Sequence, residues 1–115
     1  MRSCKITIIK RNYDSELVKK YLSEVYVESN FGPCEIFSEQ QEFIVYDPNS
    51  MPAGFCAWAW SDIQRELIAI MTGGSFNWMK TPGTAIVCCT DAFRPVVFKI
   101  ELLLDSEEKI CLQNL

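Results

Sequence analysis

Apolar and polar positions alternate where the chain begins. Cys4, Ile6 and Ile8 fall on one side of an extended segment, and this period of two predicts a first strand over residues 4–10. The spacing then changes. Asn12 or Asp14 can cap a helix over about residues 14–27, with Glu16 in its first turn. Leu17, Val18, Tyr21, Leu22 and Val25 form its apolar stripe. Asn30-Phe31-Gly32-Pro33 breaks that helix, and Cys34 follows directly. Glu42 to Tyr46 reads as a second strand, and the turn-rich residues 47–54 follow it.

The longest helical pattern runs from about Cys56 to Met71 and stops at Gly73-Gly74. At 100° per residue, Cys56, Ala59, Trp60, Ile63, Leu67 and Ile70 share one face, which is the expected core face. The opposite side should be polar if it meets only water. It holds Trp58, Ser61, Arg65, Ile68 and Ala69, with Asp62 at its edge. A tryptophan and an isoleucine there predict a second contact surface, because Trp and Arg are enriched at interfaces. Another subunit or the aromatic loop at Phe76, Trp78 and Met79 could meet it.

Two more strands are predicted, Thr84–Cys89 and Val96–Leu104, joined around Asp91-Ala92-Phe93-Arg94-Pro95. The order is βαβαββ. The expected fold is a single small α+β domain over residues 1–104, a mixed sheet covered by two helices. Residues 105–115 read as a polar C-terminal tail with an Ile110-Cys111-Leu112 patch.

Composition narrows the partners. Fifteen acidic against eleven basic residues give a net charge of −4, and no basic stripe of the kind nucleic acids require is present. A membrane partner is not expected: no apolar run reaches the roughly 18 residues of a membrane span. The first residues are not expected to act as a secretion signal, because Lys5 and Thr7 interrupt the apolar stretch. A cytoplasmic location with reduced thiols is therefore the expectation.

Six cysteines and no histidine then become informative. Without histidine, Cys–His and Ser–His–Asp catalysis are excluded within one chain. Acid–base work would fall to a carboxylate, cysteine, lysine or tyrosine. Cys56 begins the second helix, where unpaired N–H groups and the helix dipole favour thiolate. Burial on the core face opposes this. Cys88 and Cys89 are adjacent in a strand, so their side chains point to opposite faces. Cys4 starts the first strand and is expected to pack, whereas Cys111 sits in the tail. Cys34, Cys56 and one of Cys88 or Cys89 could converge as a thiolate cluster. No Cys-x₂₋₄-Cys pair announces a metal site, so no metal or other cofactor is assigned. Asp62 and Asp91 are the candidate carboxylates. Arg94, held extended by Pro95, could clamp a carboxylate or phosphate, or could simply pair with Asp91 across a turn. Gly73-Gly74 follows a helix, so it reads as a stop signal and not as a phosphate cradle.

Taken in order, several segments resemble a family of small prokaryotic proteins of uncharacterised function. They are Cys4–Thr7, Gly32-Pro33-Cys34, Glu42–Val45, Gly54–Ile63, Gly73–Met79, Pro82–Thr84 and Cys88–Lys99. The resemblance covers about residues 4–101. The family pattern has glycine at Gln41, proline at Asn77 and glycine at Ala92. It implies a small cytosolic domain and supplies no activity or catalytic residue.

The leading expectation is a self-associating domain that binds a small ligand or a partner. Trp58 and Trp78 would give apolar contact, with Arg65 or Arg94 meeting an anionic group. The alternative is a thiol or redox enzyme. Cys56 would be its nucleophile, Cys34 or Cys89 a resolving thiol, and Asp91 and Arg94 substrate-orienting groups. A thiolate metal-binding protein is the third.

Overall fold

A computed structural model describes residues 1–104. The tail over residues 105–115, with Cys111, lies outside the described residues. Four strands form one sheet: β1 (Cys4–Arg11), β2 (Glu42–Val45), β3 (Thr84–Cys88) and β4 (Val96–Leu102). Four short helices accompany them: α1 (Ser15–Tyr21), α2 (Glu24–Val27), α3 (Ala57–Asp62) and α4 (Gln64–Met71). The fold is α+β, and the strands fall where the alternation places them.

The sheet order is β2-β1-β4-β3, and every neighbouring pair is antiparallel. The expected mixed sheet is therefore corrected. A parallel neighbour for β1 needs a crossover that carries the chain back along the sheet. α1 has seven residues and α2 has four. At 1.5 Å per residue neither returns the chain to the start of β1. The chain instead enters β2 at the end where β1 finishes.

Among the described residues, one helical layer covers the sheet. α4 packs across β4, β3 and β1. Its Leu67, Ile70 and Met71 are fully buried, as are Ile63 and the sheet residues Cys4, Ile6, Ile8, Phe98 and Ile100. Each such aliphatic or aromatic side chain contributes about 1.5–3 kcal/mol when removed from water. Five rings fill the rest of the core near one end: Phe37, Phe43, Phe55 and Phe98, with Trp60 edge-on to Phe55.

The first predicted helix does not cover the sheet. It divides at Leu22-Ser23, and of its stripe only Val18 is buried. Val25 is 75% exposed, and Tyr21 and Tyr26 are also exposed. Asp14 caps α1 as expected, its carboxylate accepting from the Leu17 N–H at 3.0 Å.

The second predicted helix steps at Ile63, whose backbone (φ −95°, ψ 0°) separates α3 from α4. The stop is a Schellman motif. Gly73 N–H donates to Ile70 C=O at 3.0 Å and Gly74 N–H to Ala69 C=O at 2.8 Å, with Gly73 at φ +91°.

The outer sheet face carries ions instead of a second layer. Lys5 pairs with Glu42 (3.1 Å) and Glu101 (3.6 Å), and Lys99 with Glu101 (3.5 Å). Such a polar face is open to solvent in antiparallel sheets. No helix among the described residues is long and apolar enough to cross a membrane.

Candidate functional site

A β-bulge fixes one corner of the site. The pairing of β1 with β4 shifts between Ile8 and Lys10. One extra residue reverses the alternation, so Arg11, not Lys10, lies beside the buried Val96. Arg11 Nη1 donates to the Cys34 carbonyl at 2.8 Å. The bulge thus brings a guanidinium to the segment that carries Cys34.

Beyond that corner lies a cavity of about 500 Å³. Cys34, Ile36 and Phe37 form one wall, Cys56, Trp58, Ala59 and Asp62 a second, and residues 89–94 with Val96 a third. Much of the lining is apolar. Its size falls in the range of small-molecule sites, roughly 300–1,000 Å³.

Three cysteines reach this cavity from three separate segments: Cys34, Cys56 and Cys89. All are half-buried and unpaired. Cys89 is the most firmly placed. Its N–H donates to Val96 C=O at 3.1 Å, and its sulfur accepts from Val96 N–H at 3.3 Å. Cys56 is the residue before α3, and its side chain makes no capping hydrogen bond. α3 has six residues, so the dipole expected from one long helix is not behind it. The remaining thiols point elsewhere. Cys88 is exposed, opposite Val97 on the outer sheet face. Its pKa is raised, first by desolvation and then by Cys89 and Asp62. Cys4 is fully buried, and burial pushes its pKa up to about 12. Among the described residues, no three Cys, Asp or Glu side chains are arranged to hold a metal ion.

The polar groups of the cavity hold its frame. Asp62 Oδ2 accepts from Thr90 N–H at 2.9 Å and from Thr90 Oγ1 at 3.0 Å, tying α3 to the end of β3. Asp91 Oδ1 accepts from the N–H groups of Phe93 (3.0 Å) and Arg94 (3.3 Å). Its Oδ2 meets Arg94 Nε at 3.4 Å. The Arg94 guanidinium lies 4.4 Å from the Phe31 ring centre, a cation–π contact. Aspartate starts this turn and arginine pairs with it, and both side chains also line the cavity.

Of the residues singled out in the sequence, Cys34, Cys56, Trp58, Cys89, Asp91 and Arg94 come together here. Trp58 stands at the mouth, 82% exposed. Trp78 and Arg65 lie elsewhere. Trp78 stacks on Phe76 with ring centres 4.9 Å apart, and Arg65 pairs with its neighbour Glu66. Sequence reasoning missed Phe37, Thr90 and Arg11. Phe37 sits in a stretch without periodicity, and Arg11 is placed by a bulge that no residue type announces. Thr90 could have been suspected as the first residue after the adjacent cysteines.

Compared with known proteins, the chain matches no family model, no curated protein and no solved structure.

Proposed function

We propose that this protein binds a small, largely apolar molecule in the cavity between α3, residues 34–37 and the β3–β4 connection. The observation that carries the reading is the convergence of Cys34, Cys56, Trp58, Cys89, Asp91 and Arg94 on one space of about 500 Å³. Ile36, Phe37, Ala59, Phe93 and Val96 give apolar contact. Arg94 gives a fixed positive group, already neutralised in part by Asp91. A ligand with an aromatic or aliphatic body and a single anionic group suits that lining.

Self-association belongs to the same reading, with Trp58 and Ile68 on the outer face of α3–α4 as the contact. The free thiols fit a reducing, cytoplasmic compartment, and the resemblance to small prokaryotic proteins fits it too.

Anilinonaphthalene sulfonate is a suitable probe, since it joins an aromatic body to one anionic group. Saturable binding of one probe per chain is expected. Ala92 is exposed on the cavity lining, so Ala92→Trp fills the space without disturbing the core. It should weaken binding by about tenfold, the equivalent of 1.4 kcal/mol. Binding that is unsaturable, or unchanged in Ala92→Trp with the fold intact by circular dichroism, contradicts the reading.

A further inference from the structure

The three cavity thiols are not held alike. Cys89 is fixed at the end of β3 by two hydrogen bonds with Val96. Cys56 is carried by α3, which packs through the buried Ala59. Cys34 belongs to a segment of a different kind. Among the described residues, no backbone–backbone hydrogen bond anchors residues 30–37. Side chains hold it instead: Arg11 Nη1 donates to the Cys34 carbonyl (2.8 Å), Tyr13 OH to the Phe31 carbonyl (3.3 Å), and the Phe31 ring packs against Tyr13, Phe93 and Arg94. The buried Phe37 closes its far end. Cys34 and Cys56 thus line the same cavity from two separately held segments.

We propose that Cys56 and Cys34 form a dithiol that exchanges with a small disulfide bound in the cavity. This rests on the ligand-binding reading above and names the substrate class. In the first step Cys56 loses its proton to solvent and its sulfur attacks one sulfur of the bound disulfide. A bond forms between the two sulfurs, the original disulfide bond breaks, and the first half departs as a thiolate that takes up a proton. In the second step Cys34, also deprotonated, attacks the Cys56 sulfur. The second half departs in the same way and a Cys34–Cys56 disulfide remains. The protein pair gives up two electrons and two protons, and the small disulfide becomes two thiols. No histidine is needed, because the attacking species is a thiolate and the leaving group is one too.

The other thiols among the described residues are spectators for stated reasons. Cys4 is fully buried, and Cys88 faces the other side of the sheet. Cys89 is held in place by its hydrogen bonds to Val96.

The test uses reduced full-length protein and one molar equivalent of dithiodipyridine, an uncharged disulfide whose cleavage releases a coloured thiopyridone. Two thiopyridones should be released per equivalent consumed. The protein should carry no pyridylthio mass, and peptide mapping should locate a Cys34–Cys56 cross-link. In Cys34→Ser one thiopyridone should be released, and the adduct should persist on Cys56. Cys88→Ser should behave like the parent. A persistent mixed disulfide in the parent overturns the proposal, as does a cross-link that maps to any pair other than Cys34 and Cys56. Failure of cross-linking with the Ala92→Trp-sensitive probe binding intact removes the exchange alone. Loss of probe binding removes both.

Discussion

One wall of the cavity, residues 89–96, is tied down by backbone and carboxylate bonds, whereas the wall at residues 30–37 is held by two side-chain hydrogen bonds and by its rings, Phe37 in the core and Phe31 against Tyr13, Phe93 and Arg94. On the first wall Asn12 N–H donates to Pro95 C=O (2.8 Å) and Asp14 N–H to Phe93 C=O (2.9 Å). Asp62 holds Thr90, and Asp91 holds the turn from within. On the second wall Arg11 and Tyr13 supply the hydrogen bonds, and Phe37 and Phe31 supply the packing. A cavity built this way has one wall held through its backbone and another held through its side chains. The segment with least local structure depends most on its rings, with the buried Phe37 as the anchor.

The strongest way to break that contrast is to remove the anchor. Phe37 is 2% exposed and meets Phe43, Phe55 and Phe98 edge-on. Phe37→Ala should destabilise the protein by about 3–5 kcal/mol. Urea unfolding measures this, and a loss below about 1 kcal/mol would mean the ring is not the anchor.

A second test sharpens the contrast between cavity thiols and a core thiol. Burial raises the Cys4 pKa to about 12 in the folded protein. The unfolded chain releases that proton near the ordinary thiol value of about 8.5. Between these values the folded state binds more protons than the unfolded one. Stability is therefore complete below the ordinary value and falls as pH rises toward 12, by about 1.4 kcal/mol per pH unit for one proton. Lys5, raised chiefly by its hydrogen bond to Glu42, loses stabilisation in the same alkaline direction. Cys4→Ala should flatten the alkaline slope, and an unchanged slope would count against burial as its source.

The tied wall should lose less from a single change. Asp91→Ala removes the acceptor for the Phe93 and Arg94 N–H groups and the partner of Arg94 Nε. A cost of about 1–2 kcal/mol is expected. Hydrogen exchange should rise at residues 92–94 and not at residues 34–37, which lie beyond the Arg94–Phe31 contact. A rise spread over both walls would mean the two are not held independently.

The strands were legible because a half-buried antiparallel strand carries its own period of two, as Cys4, Ile6 and Ile8 do. The core face of α3–α4 was legible for the same reason at the helical period: Ala59, Ile63, Leu67 and Ile70 are buried, and Trp58 and Ile68 are exposed. The first helix misled because Tyr21 and Val25 lie at helical spacing without packing on the sheet. Spacing shows which residues share a face; it does not show what the face meets. The step at Ile63 was illegible, since neither glycine nor proline marks it. The cavity thiols were legible as a short set of three, because strand parity separates Cys88 from Cys89. The wall that carries Cys34 was not, since long-range contacts of Phe37 and a bulge at Ile8–Lys10 place it.

Site-resolved alkylation tests the central claim most directly. Rates with N-ethylmaleimide would be measured by mass spectrometry at each cysteine, with and without saturating anilinonaphthalene sulfonate. The account predicts that Cys34, Cys56 and Cys89 slow together while Cys88, one residue away from Cys89 but on the outer sheet face, keeps its rate. If Cys88 slows with them, or if the three keep their rates while probe is bound, the thiol-lined cavity is not the binding site.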